Sequence, residues 1–223
     1  MTSRRLVALG AAAVLAAAAG APAAGQATEG TAEKPVEKTS ERTLERTFEQ
    51  VRAAHRPSDI ALLDRHGEVL QWIRTDPQVR RGPWVALADV SPALRDAIVL
   101  SEDRRFWAHG GIDWQALAAS AWANAWNTRT RGASTVTMQL AGLLDAELAR
   151  PAGGRDVGTK VSQMLRARQL EARWSKTQIL EAYLNAVTLR GELVGVAAAS
   201  QQLFGKHASG LDRLEAAILA VLV

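Results

Sequence analysis

Apolar positions along this chain follow three patterns, and each predicts a different element. Leu6 to Gly20, "LVALGAAAVLAAAAG", is apolar throughout, about 15 residues long, which is close to an export signal and short for a membrane-spanning helix. Two short β-prone runs, Ile60–Leu63 and Val69–Ile73, flank "DRHG" with Gly67 in the turn, which predicts a hairpin. From Ser91 onward the period is helical. Ser91 and Pro92 open one helix as N-cap and first residue. Asp113 to Asn127 places Leu117, Ala121, Trp122, Ala125 and Trp126 on one stripe, and Ser134 to Asp145 follows a Gly132-Ala133 turn. Arg155 to Trp174 turns Val161, Met164, Leu165 and Gln169 one way. Ser175 caps a helix whose stripe is Ile179, Leu180, Tyr183, Leu184 and Val187, and two further helices run to Val223.

These elements sum to a mainly α fold with a small N-terminal hairpin. Helices of mixed length around one carboxylate suggest a lysozyme-like globule. Residues 1–23 read as a signal peptide or N-terminal anchor, with Arg4 and Arg5 as the basic segment and "APA" as a small-x-small cleavage site. Residues 24–57 read as a linker followed by a weak helix, in which Leu44, Phe48 and Val51 share a face. Residues 58–223 form the folded domain. Its last helix stops inside an apolar run with no capping glycine, so a C-terminally truncated domain is expected.

Composition adds little until it meets the pattern. The chain has 223 residues, 48 % of them hydrophobic, which is enough for one well-filled core. A net charge of +4 favours an anionic partner, and the export segment argues against nucleic acid. Cysteine is absent, which excludes a disulfide framework and a thiolate metal site.

The candidate chemistry sits at helix ends. "SEDRRFWAHGG" follows the apolar run "ALRDAIVL", so Glu102 emerges directly from a core-facing helix. Desolvation there suits a general base, and Phe106, one turn on, would wall the site. The plainer reading is a helix-end carboxylate paired with Arg104 or Arg105. "RGASTVTMQ" puts hydroxyls and free backbone N–H groups at a helix start, either an anion site or an ordinary Ser134 N-cap. Lys160 and Arg168 lie eight apart in a basic stretch, on a face fit for a diphosphate or merely for solvent.

In order and spacing, "EDRRFWAHGGID", "GASTVTMQL", "KVSQMLRARQLEARWSKTQILEAYLN" and "GVAAASQQLFGK" resemble the peptidoglycan glycosyltransferase domain of class A penicillin-binding proteins (glycosyltransferase family 51). "EDRRFW" with "GASTVTMQ" is most similar to the penicillin-binding protein 1C branch. The resemblance implies an enzyme at the outer face of the bacterial cytoplasmic membrane, in the periplasm, that polymerises lipid II into glycan strands. The acceptor 4-hydroxyl attacks the anomeric carbon, configuration inverts, and undecaprenyl diphosphate leaves. Glu102 matches the general base. Asp103, Phe106, His109, Ser134, Thr135, Thr137, Gln139, Lys160, Gln163 and Arg168 are the expected substrate-binding residues. Ser175, Lys176, Glu181, Tyr183 and Asn185 match a mainly structural motif. Other cell-wall synthesis proteins are implied partners.

Three departures shape the expectation. Gln163 stands where the family has a second glutamate, and an amide cannot hold a cation as a carboxylate does, so no cofactor is expected and a divalent cation is doubtful. Gly142 stands near a position where the family carries Lys or Arg. A transpeptidase domain, which the family's class A members carry, is not expected here. These departures feed the alternative of a weak or inert homologue that binds lipid II or cell-wall synthesis partners.

Overall fold

A computed structural model of the chain describes residues 46–125, 134–145 and 157–223. The apolar N-terminal segment, the linker to residue 45, Trp126, the Gly132-Ala133 turn, Arg150 and Arg155 lie outside the described residues. In chain order the described elements begin with α1 (Phe48–Ala54), β1 (Asp59–Leu63), β2 (Val69–Arg74), β3 (Arg80–Arg81), α2 (Pro92–Glu102) and α3 (Trp114–Ala125). They continue with α4 (Val136–Leu144), α5 (Val157–Glu171), α6 (Lys176–Ala186), β4 (Leu193–Val194), α7 (Val196–Phe204) and α8 (Arg213–Leu222). The fold is mainly α with a small antiparallel hairpin, as the periodicity requires.

The hairpin pairs Ile60 with Ile73 and turns through Gly67 at φ +86°, a conformation that a Cβ disfavours. Asp64 Oδ1 accepts the backbone N–H groups of His66 and Glu68 and closes the turn. Both faces of this hairpin are apolar, and Ile60, Leu63 and Leu70 stand exposed. A second pairing, β3 parallel to β4, went unforeseen because two-residue strands have no readable period.

α1 carries a Thr47–Gln50 capping box and seats Phe48 edge-on between Trp84 and Trp174, with ring centroids 6.0 and 5.5 Å away. Part of the helix expected ahead of the domain thus contributes to its core. α2 begins as expected, Ser91 Oγ accepting the Leu94 N–H at 3.1 Å, and buries Leu94 and Ile98 while packing along α8. α6 is fixed by a Ser175–Gln178 capping box, and its whole expected stripe, Ile179 to Val187, is buried. α4 packs between α5 and α6 and buries Val136, Met138, Leu140 and Ala141.

Two stripes face the other way from the expectation. On α3, Trp122 is 67 % exposed and Leu117 only half-buried. On α5, Val161, Leu165 and Gln169 are exposed, while Ala167 and Leu170 are the residues packed inward. The reason is close backbone approach. Gly111, at φ +88°, lies where a Cβ would meet the Ala167 carbonyl oxygen at 2.9 Å. On α4, Gly142 meets only the end of the Gln163 side chain. Small residues, not the large apolar ones, let α5 dock.

Candidate active site

The site is assembled where the C-terminus of α2 meets the N-terminus of α4. Glu102 is the last residue of α2 and is half-buried. Its Oε2 accepts from Gln139 Nε2 on α4 at 3.0 Å, and its Oε1 from Ser101 Oγ at 3.3 Å. Gln139 Oε1 in turn accepts from the Tyr183 hydroxyl on α6 at 2.8 Å. A polar chain thus reaches from Glu102 into the core. Arg105 goes to Asp113 at 3.1 Å and Arg104 is exposed, so the helix-end arginine pairing does not form.

Asp103 is buried and ties the two helix ends together. His109 Nε2 donates to it at 2.9 Å, and the Val136 N–H, in the first turn of α4, donates at 3.1 Å. The Gly111 N–H donates to His109 Nδ1 at 3.2 Å, so Nδ1 is an acceptor and Nε2 carries the proton that faces Asp103. Asp103 thus places a negative charge at the positive end of α4.

The hydroxyls of α4 are also used internally. Thr135, not Ser134, is the N-cap: its Oγ1 accepts the Met138 N–H at 3.1 Å and donates to the Gly111 carbonyl at 2.6 Å. The two candidates are adjacent hydroxyls, and the reach to Gly111 selects Thr135. Thr137 Oγ1 donates to Glu171 at 2.6 Å. Lys176 Nζ contacts the same carboxylate at 2.6 Å and sits 4.4 Å over the ring of the fully buried Phe106. Ser134 is left exposed at the helix start.

On α5, Lys160 and Arg168 are exposed and Gln163 is half-buried. Gln163 Nε2 lies 3.1 Å from where a Cβ on Gly142 would stand. The two departures of the sequence are therefore one contact, an amide folded over a missing side chain. Arg166 pairs with the buried Asp145 at the end of α4. Burial lowers the pKa of the Arg166 guanidinium.

The fourth motif clamps a distant segment. Glu181 accepts the Trp84 indole N–H and the Leu87 N–H, both at 2.8 Å. Asn185 exchanges two hydrogen bonds of 2.8 Å with the backbone of Val85. Sequence reasoning missed Glu171, and it gave Tyr183 only a packing role. A lone tyrosine on a buried stripe is the signal that could have found the latter, since a buried phenol needs a partner.

The family profile described as Transglycosylase matches residues 66–223. The chain is 42 % identical over 139 residues to "Penicillin-binding protein 1C" of Escherichia coli (strain K12), covering 62 % of this chain and 17 % of that protein. It is 36 % identical over 140 residues to "Biosynthetic peptidoglycan transglycosylase" of Mannheimia succiniciproducens, covering 63 % of this chain and 55 % of that one. The protein of that name from Rhodospirillum centenum is 39 % identical over 142 residues, covering 63 % and 58 %. In all three, the match spans less than two thirds of the relative's length.

Proposed function

The chain belongs to the transglycosylase family, and from that premise we propose that it polymerises lipid II into glycan strands for cell-wall biogenesis, with undecaprenyl diphosphate as leaving group. The observation that carries this reading is Glu102, a half-buried carboxylate held at its edge by Gln139 rather than neutralised by an arginine. Glu102 takes the proton of the acceptor sugar's 4-hydroxyl as the oxygen attacks the anomeric carbon. The bond to the diphosphate breaks on the opposite face, and the configuration inverts. No cofactor enters these steps.

Leaving-group stabilisation falls to Lys160 and Arg168, whose charges reach solvent on α5, with the Gln163 amide as a neutral donor beside them. Ser134 is the hydroxyl of the second motif open to substrate. Asp103, His109, Thr135, Thr137 and Phe106 act from behind the surface, since their polar atoms or rings are engaged within the protein. We assign residues 1–23 to export or anchoring, 24–57 to a linker and helix, and 58–223 to the transferase domain, acting in the periplasm at the cytoplasmic membrane.

The membrane side of the reading rests on exposed apolar side chains. Trp107, Trp114 and Trp122 are 57, 61 and 67 % exposed, and Leu165 on α5 is 60 % exposed. Large apolar residues at that exposure suit a lipid surface. Among the described residues no helix is long and apolar enough to cross a membrane.

Purified protein given labelled lipid II tests the reading. Polymer formation supports it. Binding without turnover, which the uncharged Gly142–Gln163 contact would favour, replaces it with a lipid II-binding role. Cleavage of preformed glycan contradicts both.

A further inference from the structure

The polar chain behind Glu102 has a direction, and the direction follows from donor and acceptor chemistry. An ionised carboxylate only accepts hydrogen bonds, so the Gln139 group facing Glu102 is its NH₂. The amide oxygen must then face Tyr183, and the phenol must donate to it. Tyr183 is fully buried on the inner face of α6, and its ring is held by the core. Burial, with the charge of Glu102 adding to it, pushes the pKa of the Tyr183 phenol well above the ordinary tyrosine value. The phenol therefore stays a donor. Turning the amide over would break the bond that the phenol donates to its oxygen and would face that oxygen to the Glu102 carboxylate, so both ends favour the observed orientation.

We infer that Tyr183 is a positioning residue for the base: through Gln139 it locks the amide orientation that holds the Glu102 carboxylate in place. The inference rests on Glu102 being the base of the proposed reaction. Tyr183 touches no substrate and acts only through Gln139. Its ring belongs to the apolar stripe of α6, but its hydroxyl belongs to the site, and one residue therefore couples core packing to the reacting edge. Without the hydroxyl, only the Glu102 contact holds the Gln139 amide, and Glu102 loses its partner for part of the time.

The test is a double-mutant cycle on lipid II polymerisation by the full chain. Tyr183→Phe keeps the ring and should lower kcat about tenfold, as expected for one lost hydrogen bond in the chain, with KM little changed. Gln139→Met should lower kcat more, because it removes the contact to the charged group. The double variant should be no slower than Gln139→Met alone, because Tyr183 acts only through Gln139. Unchanged kcat in Tyr183→Phe overturns the inference, and so do additive losses in the double variant. If the wild type itself makes no polymer, the functional reading fails, and the locking is read from the Gln139 side-chain amide protons by hydrogen exchange. Slow exchange in the wild type and fast exchange in Tyr183→Phe support it; equal exchange overturns it.

Discussion

α3 and α6 are both rich in apolar residues, yet they end in opposite environments. α6 buries Ile179, Leu180, Tyr183 and Leu184, while α3 leaves Trp114 and Trp122 in the open. The difference lies in their polar residues. α6 is tied at its start by the Ser175 capping box, in its middle by Glu181 and Tyr183, and near its end by Asn185. α3 has Asp113 at its start, accepting the N–H groups of Gln115 and Ala116. Directional bonds to other elements decide which face of an apolar helix turns inward. α3 leaves its tryptophans exposed, and α6 supports Gln139 beside Glu102.

The sharpest test on the α6 side concerns what it supports. Glu102→Gln should lower polymerisation by about 10²–10⁴-fold with thermal stability nearly unchanged, read from lipid II turnover and a melting curve. Loss of folding in that variant would mean that the carboxylate is structural after all. Asn185→Ala attacks the ties themselves. It strands the buried Val85 N–H and carbonyl, and should cost about 2–3 kcal/mol in denaturant unfolding. A cost near zero would remove the main contrast with α3.

α5 stands between the two cases, with Gln163 turned inward and Lys160 outward. Lys160→Ala should lower turnover more than Gln163→Ala, since a charge-assisted contact is roughly twice as strong as a neutral one. Turnover by the wild type should be insensitive to chelator, because an amide stands where a carboxylate would hold a cation. On the α3 side, Trp114→Ser with Trp122→Ser should weaken binding to anionic vesicles about tenfold and leave the melting temperature almost unchanged. A large drop in melting temperature would place those rings in a core.

The smallest effect concerns His55, whose Nε2 is 2.8 Å from the Gly82 carbonyl oxygen. Burial first, then the charges of Arg81 and Arg56, hold its pKa below the ordinary value, against the carbonyl contact that raises it. The unfolded chain therefore binds this proton more readily. The stability from the neutral ring is present above about pH 6.5 and is lost as pH falls below it. His55→Gln should flatten that part of the stability–pH curve, measured by urea unfolding.

The sequence was most legible where a local rule is strict. The Ser91 and Ser175 caps, the Gly67 turn and the α6 stripe all follow from contacts within a few residues. It was least legible on α3 and α5, because a period tells which residues share a face and not what covers that face. A small residue on a neighbouring segment, Gly111, lets the backbone of α5 come close at Ala167. Glu102 could be singled out from its position at a helix end, and Gln139 only from the resemblance of its segment to the family's second motif. The bond from Tyr183 to Gln139 could not, since its partners lie 44 residues apart. The donor and acceptor roles of the His109 ring required knowing that the Gly111 N–H points at it.

The Glu181 and Asn185 clamp has a consequence in time as well as in strength. Its bonds join residues 94 to 100 positions apart, so forming it closes a loop of nearly half the chain. Closing such a loop from an open chain costs about 4 kcal/mol of entropy. The helices between must dock first and shorten that loop before the segment at Trp84–Leu87 can latch. The base and its supporting residues lie within that loop or on α6, so they come together ahead of the latch. Loosening the clamp should therefore speed unfolding far more than it slows folding, and the segment from the hairpin to Leu87 should be the first part of the described fold to open.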